Sequence, residues 1–323
     1  MNTFGRKFRI HIWGESHGES IGVNIDGCPA GIQLSETDLM PDLVRRKSGA
    51  RGTTLRTESD KPHIISGLYN GYTTGAPITI MFLNQNTRSS DYSQFTAVPR
   101  PGHADFVASK KYEGFNDPRG GGHFSGRVTL GLVVAGVIAK KIINPVNVTA
   151  TLIEVEGSAD ISQAVEKALQ NEDSVGGIIA CTATDMPIGL GEPFFDSLES
   201  VLAHGLFSIP AIKGVEFGAG FDAAKMLGSE HNDAFISANG KTATNNAGGI
   251  NGGISNGNDL VFRVAVKPTS SIGKMQQTFN FEDNKINEFR VGGRHDACIA
   301  LRMPVIVEAL TAIVLADFTL LGK

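Results

Sequence analysis

Strand patterns of apolar and polar residues recur along the chain. Residues 8–14 and 20–27 alternate and end in glycine, and residues 76–84 and 260–268 are further predicted strands. Between residues 146 and 235, the segments VNVTATLIEVEG and VGGIIACTAT are interleaved with the helical patterns SQAVEKALQN and FDSLESVLAHGLFSI. The middle of the chain is therefore expected to alternate between strands and helices.

Three other segments predict helices. Residues 35–48 begin with a capping box between Ser35 and Asp38 and end in basic residues. Residues 125–143 begin with Ser125 as a cap and end in a basic last turn, which indicates a buried helix despite their glycines. Residues 300–321 predict a long buried helix with Pro304 in its first turn.

Two stretches of the chain show the same order of features. Residues 67–130 and 252–302 each run from a glycine turn to a strand, a threonine-serine loop, a Gly-Gly-basic loop and a buried helix. This order indicates an internal duplication with a pseudo-twofold axis, although any β-loop-α protein can show such matches. No linker divides the 323 residues, so we expect one domain over 1–323.

Composition limits the classes of function. The net charge is −4, so an anion site requires locally clustered arginines. Three widely spaced cysteines fit a reducing compartment, and the eight histidines lack metal-ligand spacing, so no metal is expected. The N-terminus lacks a secretory segment, and the longest uncharged apolar run, residues 128–139, is too short for a bilayer. These features predict a cytoplasmic protein without a membrane anchor.

The segment RRKSGARGTTLR at 45–56 is the densest basic stretch, and it contains Arg46, Arg51 and Arg56. Guanidinium groups match the geometry of carboxylates and phosphates, so a clamp for a small polyanion is one interpretation. The alternatives are a solvated helix end and a nucleic-acid patch. The acidic chain and the absence of interleaved aromatic residues oppose nucleic acid.

Two glycine-containing loops carry histidines that could transfer protons. WGESHGES at 13–20 holds His17 between acidic residues, and RPGHAD at 100–105 places Arg100 three residues before His103. Histidine is the usual proton donor and acceptor near neutral pH, and a neighbouring arginine would attract an anionic ligand to it. A lone histidine in a turn is more often structural, so both interpretations stay open at this point.

Two further loops carry anion-binding or proton-abstracting groups. DPRGGGHFSGR at 117–127 has three glycines before a serine-capped helix, which favours an anion cradle supported by Arg127. GGRHD at 292–296 places Arg294 and Asp296 beside the last predicted helix. That pair suits charge stabilisation and proton abstraction, or it is a helix cap with a surface arginine.

Taken in order, these motifs resemble the chorismate synthase family over nearly the whole chain. The matching motifs are GESHG (14–18), the arginine run, SGLYNGYTTGAPI, RPGHAD, RGGG with Ser125 and Arg127, NNAGGINGGISNG (245–257), KPTSS (267–271) and GRHD (293–296). The resemblance implies an α+β fold, a single-domain β-α-β sandwich with helices packed between antiparallel sheets, assembled as a homotetramer. It implies a lyase that removes phosphate and the C6 hydrogen from 5-enolpyruvylshikimate 3-phosphate in a 1,4-anti sense, giving chorismate. Reduced FMN is required although the reaction has no net redox change.

The resemblance also implies residue roles. His17, His103 and Asp296 correspond to catalytic residues, with His17 beside the reduced flavin and Asp296 assisting removal of the C6 hydrogen. The substrate-binding positions are Arg46, Arg51, Arg56, Arg100, Arg127 and Arg294. The cofactor-binding positions are His123, Phe124, Ser125, Pro210, Ala211, Gly252, Lys267, Pro268, Thr269, Ser270, Ser271 and Arg294.

Four positions depart from the family pattern. His123 replaces a common arginine, Gly126 an alanine, Val128 a glutamate and Pro210 an asparagine. His123 raises the hypothesis that phosphate affinity depends on pH. The competing functions are a non-catalytic flavin- or anion-binding homologue and an RNA-binding protein with salt-sensitive retention. Because no extra segment suggests a built-in reductase, we expect an external flavin reductase instead of direct use of NADPH.

Overall fold

A computed structural model of the protein describes residues 2–54, 59–85, 95–292 and 295–322. The strands are β1 (Thr3–Phe4), β2 (Arg9–Gly14), β3 (Ser20–Asp26), β4 (His63–Ser66), β5 (Leu68–Tyr69), β6 (Tyr72–Thr73), β7 (Ile78–Leu83), β8 (Asn147–Val155), β9 (Gly177–Thr184), β10 (Ile212–Phe217), β11 (Ile250–Asn251), β12 (Ile254–Ser255), β13 (Leu260–Val266), β14 (Gln276–Asn280) and β15 (Lys285–Phe289). The helices are α1 (Glu36–Arg46), α2 (Asp105–Lys111), α3 (Leu130–Ile143), α4 (Ile161–Gln170), α5 (Leu198–Leu206), α6 (Gly228–His231) and α7 (Pro304–Leu321).

Two antiparallel sheets form the outer layers. The first has the strand order β1-β2-β3-β7-β4, and the second has the order β10-β13-β9-β8. Their inward faces come from the period-two pattern: every second residue of β13, from Leu260 to Val266, is buried. The register of β2 and β3 runs from Arg9 opposite Asp26 to Gly14 opposite Ile21, so the intervening turn carries His17.

Helices α3 and α7 pack against each other between the sheets, with α3 on β3 and α7 on β8 and β9. This arrangement confirms the expected α+β sandwich with helices between antiparallel sheets. Helix α7 is long and apolar enough to cross a bilayer, yet 78% of that helix is buried inside the fold. It is the central core helix, which explains why its sequence is predominantly apolar.

The glycines of α3 allow the two central helices to approach closely. A Cβ atom at Gly136 would lie 2.3 Å from the Cβ of Ala309 on α7. A larger side chain would therefore force the helices apart and open the core. Glycine weakens an isolated helix, but here it allows the burial that stabilises α3.

A charged group inside the core joins three helices to the second sheet. Glu308 of α7 is 3% exposed and receives two hydrogen bonds from Arg45 of α1, at 2.6 and 2.7 Å. Lys140 of α3 donates to the same carboxylate at 3.1 Å, and the Ala150 backbone N–H of β8 donates at 2.9 Å. Burial alone would raise the pKa of Glu308, but these donors lower it.

The predicted elements are present with small changes at their ends. The capping box at Ser35 is confirmed, with the Ser35 N–H donating to Asp38 Oδ2 at 2.7 Å. Two predicted helices begin later than expected, because residues 126–129 and 299–302 form 3₁₀ turns before α3 and α7. In both halves of the predicted duplication a sheet strand precedes a central helix, β7 before α3 and β13 before α7.

Candidate active site

The glycine-rich turn at 120–122 lies between two of the candidate histidines. All three glycines have left-handed φ values of 61°, 80° and 53°. A Cβ at Gly120 would lie 2.1 Å from His17 Nδ1, and one at Gly121 would lie 3.4 Å from His103 Cε1. Glycine is therefore required both for the backbone conformation and for the close approach of the His17 ring. The turn brings together the two loops that the sequence singled out separately.

His17 is held in a buried turn between β2 and β3. It is 5% exposed, and the neighbouring Ser16 N–H donates to Gly122 O at 3.0 Å. The side-chain amide of Asn84 donates to Glu15 O at 3.0 Å and to Gly18 O at 2.8 Å. Sheet register and these local bonds therefore fix the imidazole against Gly120.

His103 is held by charge. Its Nδ1 lies 2.6 Å from Asp105 Oδ1 and 3.0 Å from Arg100 Nη2. A guanidinium cannot accept a hydrogen bond. At the shorter contact, therefore, a proton on Nδ1 is donated to the Asp105 carboxylate. This tautomer leaves Nε2 for exchange, on the ring edge that approaches Gly121.

Arg100 and Asp105 form a buried pair behind His103. Arg100 Nε and Nη2 donate to Asp105 at 2.7 and 2.8 Å, and both side chains are less than 10% exposed. Burial alone would raise the pKa of Asp105, but hydrogen bonds from Arg100 and His103 hold it well below its usual range. Arg100, expected to bind substrate, thus has much of its hydrogen-bonding capacity directed to Asp105.

The KPTSS loop closes onto the RPGHAD loop. Lys267 Nζ donates to Gly102 O at 2.6 Å, and Arg100 Nη1 donates to Ser271 Oγ at 3.0 Å. Burial, with the nearby charge of Lys213, lowers the pKa of Lys267. The predicted cofactor loop after β13 is therefore bonded directly to the loop that carries His103.

Several predicted cofactor residues lie along the same loops. The Lys267 N–H donates to Ala211 O at 2.9 Å, and Ser270 Oγ donates to Gly102 O at 2.8 Å. Pro268 follows β13 directly, and Thr269 Oγ1 is buried without a hydrogen-bond partner among the described residues. A buried hydroxyl of this kind suits a polar ligand group.

A cavity of about 150 Å³ lies beside His103. Gly121 and Phe124 line it, together with Phe106 and Phe281, whose rings stack at 4.9 Å between centroids. The wall thus combines apolar rings with a histidine, and ligand sites are usually lined by apolar groups with a few polar ones.

Three arginines and two aspartates meet around the 3₁₀ turn that Ser125 caps. The cluster consists of Arg46, Arg127, Arg302, Asp60 and Asp296. Arg127 Nη1 donates to Asp60 at 2.8 Å, and Arg302 Nη2 donates to Asp296 at 2.8 Å. Since three cations face two carboxylates, the cluster carries a net positive charge that attracts an anion.

Arg46 is the most deeply buried cation of this cluster. It is 5% exposed, donates from Nη2 to Gly126 O at 2.7 Å and from Nε to Thr129 Oγ1 at 3.0 Å. Burial, followed by the positive charge of Arg302, lowers the pKa of Arg46 to about 9. A small cavity lined by Arg46, Arg302 and Pro210 brings the predicted cofactor residue Pro210 to the arginines.

Other predicted residues lie elsewhere. Arg51 has a side chain that is 74% exposed and pairs with Glu166. Arg56 and Arg294 lie outside the described residues, so their predicted roles are not addressed by the structure. Gly252, in the turn between β11 and β12, has nothing within 4 Å of where its Cβ would be. It stays a prediction without a described contact to the histidine loops.

His123 and Ser125 follow the glycine turn on either side of Phe124. His123 Nδ1 lies 2.7 Å from Gly14 O, and its Nε2 lies 3.2 Å from Asn2 Oδ1. His123 is therefore turned toward the end of β2 and the N-terminus. Ser125 caps the following 3₁₀ turn, with its Oγ accepting from the Arg127 N–H at 3.3 Å.

Arg302 was not among the residues singled out from the sequence. It stands in the apolar segment ACIALRMPV, where the hydrophobic pattern predicts a buried helix. A lone arginine in such a segment, six residues after Asp296, is the signal that could have identified it. A fully apolar face has no place for a guanidinium unless a carboxylate or ligand accepts it.

Comparison with known proteins assigns the family. The chorismate synthase family model matches residues 8–320. The chorismate synthase of Chitinophaga pinensis is 64% identical over 324 residues, covering 100% of this chain and 98% of the relative. That of Methanocaldococcus jannaschii is 42% identical, covering 100% and 97%.

The fold agrees with this assignment. A crystal structure of chorismate synthase matches with a TM-score of 0.73 at 26% identity, covering 99% of this chain and 93% of that one. Sequence similarity, fold and the arrangement of the histidine and arginine loops thus give one answer: this chain belongs to the chorismate synthase family.

Proposed function

We propose that this chain converts 5-enolpyruvylshikimate 3-phosphate to chorismate with reduced FMN as cofactor. The observation that carries the proposal is the turn at 120–122, which presents His17 and His103 on adjacent glycines beside a net-positive arginine cluster. In the reaction the C6–H and C3–O bonds break, hydrogen and phosphate leave, and a new double bond forms. The atoms balance without an external oxidant.

The arginine cluster suits the charge of the substrate. That substrate carries two carboxylates and a phosphate, and buried arginines bind such groups through charge-assisted bonds of about 1.5–3 kcal/mol each. Arg46 and Arg127 are oriented by the protein before any ligand arrives, because their other donors are bonded to Gly126 and Asp60. A preorganised cation also stabilises the charge that develops on departing phosphate.

His17, His103 and Asp296 would carry out the proton transfers. His103 would donate from Nε2 to a developing anion while Asp105 stabilises the imidazolium through Nδ1. His17, buried against Gly120, would hold or exchange a proton at the adjacent cofactor position. Asp296 is 8% exposed, and its carboxylate would assist removal of the C6 hydrogen.

The residues around the His103 loop fit a flavin. Phe124 and the stacked Phe106 and Phe281 offer apolar surface at the cavity. The KPTSS loop, which is bonded to the His103 loop, offers the cation of Lys267 and the buried hydroxyl of Thr269. A side chain on Gly120 or Gly121 would fill the space between the histidines. Bound reduced flavin would lend electron density to the substrate and recover it. An external flavin reductase would supply it, and the cytoplasm is the compartment where both would be present.

We further propose a homotetramer. Large apolar side chains are exposed in the segment 188–236: Phe194 is 86% exposed, Phe195 94%, Phe221 82% and Phe235 75%. Exposed apolar residues concentrated in one segment are typical of an association surface. We expect Phe195→Ser to lower the mass measured by light scattering, whereas Ile65→Ser, also exposed but on β4, should retain it. An unchanged mass for Phe195→Ser would argue against this surface.

The reaction is tested anaerobically. The chain is mixed with chemically reduced FMN and 5-enolpyruvylshikimate 3-phosphate, and chorismate absorbance and phosphate release are followed together. We expect turnover in this mixture and none with NADPH and oxidised FMN alone. Turnover in both mixtures would assign a flavin reductase activity to the chain itself. No turnover in either, with flavin bound, would leave the non-catalytic homologue as the correct assignment.

A further inference from the structure

We propose that Arg302 is a positioning residue for Asp296, holding its carboxylate at the angle needed to remove the C6 hydrogen. The inference rests on the function proposed above and adds to it a residue outside the motifs quoted for the family resemblance. Arg302 Nη2 donates to Asp296 Oδ2 at 2.8 Å, and the Thr54 backbone N–H donates to Oδ1 at 2.9 Å. Each carboxylate oxygen is thus bound by a different donor.

Two-point binding fixes a carboxylate more strictly than burial does. A single hydrogen bond leaves rotation about the Cβ–Cγ bond free, whereas donors on both oxygens restrict it. The two donors come from distant parts of the chain, Thr54 after α1 and Arg302 before α7. Each oxygen retains lone pairs for a substrate hydrogen, since a carboxylate accepts about four hydrogen bonds.

Arg302 is itself rigidly held. It ends the 3₁₀ turn of residues 299–302, and Met303 and Pro304 lead directly into α7. Residues 305–318 of that helix are buried between the two sheets. The buried core helix therefore determines where the Arg302 backbone lies, and the guanidinium reaches the Asp296 carboxylate from that position.

The charges around Arg302 are those of an anion site. Arg302 lies close enough to Arg46 to lower its pKa, after the larger effect of burial, so two like charges are held near each other. Both line the same small cavity. Neighbouring cations are stabilised by a bound anion, so substrate bound at this arginine cluster would also lie near Asp296, which is hydrogen-bonded to Arg302.

The test uses Arg302→Gln, Arg302→Lys and the control Arg263→Gln. Arg263 pairs with Glu216 on the second sheet at 2.7 Å, so Arg263→Gln also breaks an arginine–carboxylate pair, but one away from the site. We expect Arg302→Gln to lower kcat about 10²-fold with a smaller change in KM, because misplacing a reacting group by about 1 Å costs this much. The kcat of Arg302→Lys should lie between those of Arg302→Gln and the parent chain. The kcat of Arg263→Gln should equal that of the parent chain.

Two readouts separate positioning from general damage. With substrate deuterated at C6, the kinetic isotope effect on kcat should rise in Arg302→Gln, because C–H cleavage becomes more rate-limiting. Combined with Asp296→Asn, Arg302→Gln should cause almost no additional loss, since it acts through the group already removed. An unchanged isotope effect, or losses that multiply in the double variant, would overturn the proposal.

Failure of the proposal is distinguishable from failure of the proposed function. If the parent chain shows no turnover, the proposed function itself is wrong. If the parent chain is active and Arg302→Gln has a normal kcat, only the positioning role is wrong. Should Arg302→Gln fail to fold, as judged by its thermal unfolding, Arg302→Lys and the isotope effect measured on it decide the question by the same criteria.

Discussion

The two sides of the glycine-rich turn hold their histidines by different means. On one side, His17 is fixed by sheet register and by its packing on Gly120, where a methyl group would be 2.1 Å from the ring. On the other side, His103 is fixed by Asp105, which is paired in turn with Arg100. Gly121 leaves ordinary contact distance to that ring, at 3.4 Å.

This difference fits the two kinds of proton chemistry that we propose for the two histidines. A ring held by packing cannot move, so it suits a place against a planar cofactor. A ring held by a carboxylate keeps its orientation and gains a partner for its charged form, so it suits donation to a departing anion. The comparison can be tested by changing each support separately.

The largest effect is expected for Gly120→Ala. The left-handed φ of 61° and the clash with His17 should together lower kcat at least about 10²-fold, because the ring must leave its place. The added methyl should also lower the free energy of unfolding by about 1–3 kcal/mol beyond the backbone strain. Steady-state kinetics measure the change in kcat, and urea unfolding measures the change in the free energy of unfolding.

Gly121→Ala is the matched control for that change. It has a similar φ of 80° but only ordinary contact with His103. Its strain should be about the same, about 1–3 kcal/mol, while kcat should fall far less than in Gly120→Ala. Equal losses of kcat in the two variants would show that backbone strain, and not the His17 contact, controls activity.

Asp105→Asn should break the charged support of His103. Removing one partner of this buried pair should destabilise the protein by about 3–5 kcal/mol at neutral pH. Because the folded pKa of Asp105 lies below its unfolded value, its contribution is complete above about pH 4 and is lost as pH falls. The stability difference between parent and variant should therefore shrink on acidification, as measured by urea unfolding.

The exposed pair of Asp222 and Lys225 supplies a control. Asp222→Asn should leave both kcat and stability near those of the parent, because exposed ion pairs contribute little. A stability difference for Asp105→Asn that stays constant down to low pH would contradict the assignment of an ionised Asp105 as the support of His103.

The smallest effect is expected for His123→Arg. Its ring contacts Gly14 O and Asn2, near the His17 turn, and His123 is absent from the described lining of the cavity beside His103. We expect kcat and KM to change less than about threefold, and the pH dependence of substrate binding to persist. A pH dependence that disappears in this variant would instead support the hypothesis that His123 tunes phosphate affinity.

Local patterns predicted much of the fold because capping and the alternation of buried and exposed residues depend on neighbours in the sequence. The capping box at Ser35 and the alternation in β13 were readable directly. Helix starts were less accurate: the segments before α3 and α7 formed 3₁₀ turns, a choice that depends on neighbouring packing. The basic run at 45–56 predicted an anion site as one interpretation, without distinguishing buried Arg46 from exposed Arg51.

By itself, the sequence determined the alternating strands, the two apolar central helices and the glycine-rich loops that carry histidine and arginine. Each of these follows from residue spacing over a few positions. Only the tertiary structure decided that His17 and His103 meet at adjacent glycines, that Asp105 supports His103, and that Arg302 reaches Asp296. Most of these contacts join residues far apart in the chain. Their distances are set by how the central helices pack between the sheets, which no local pattern records.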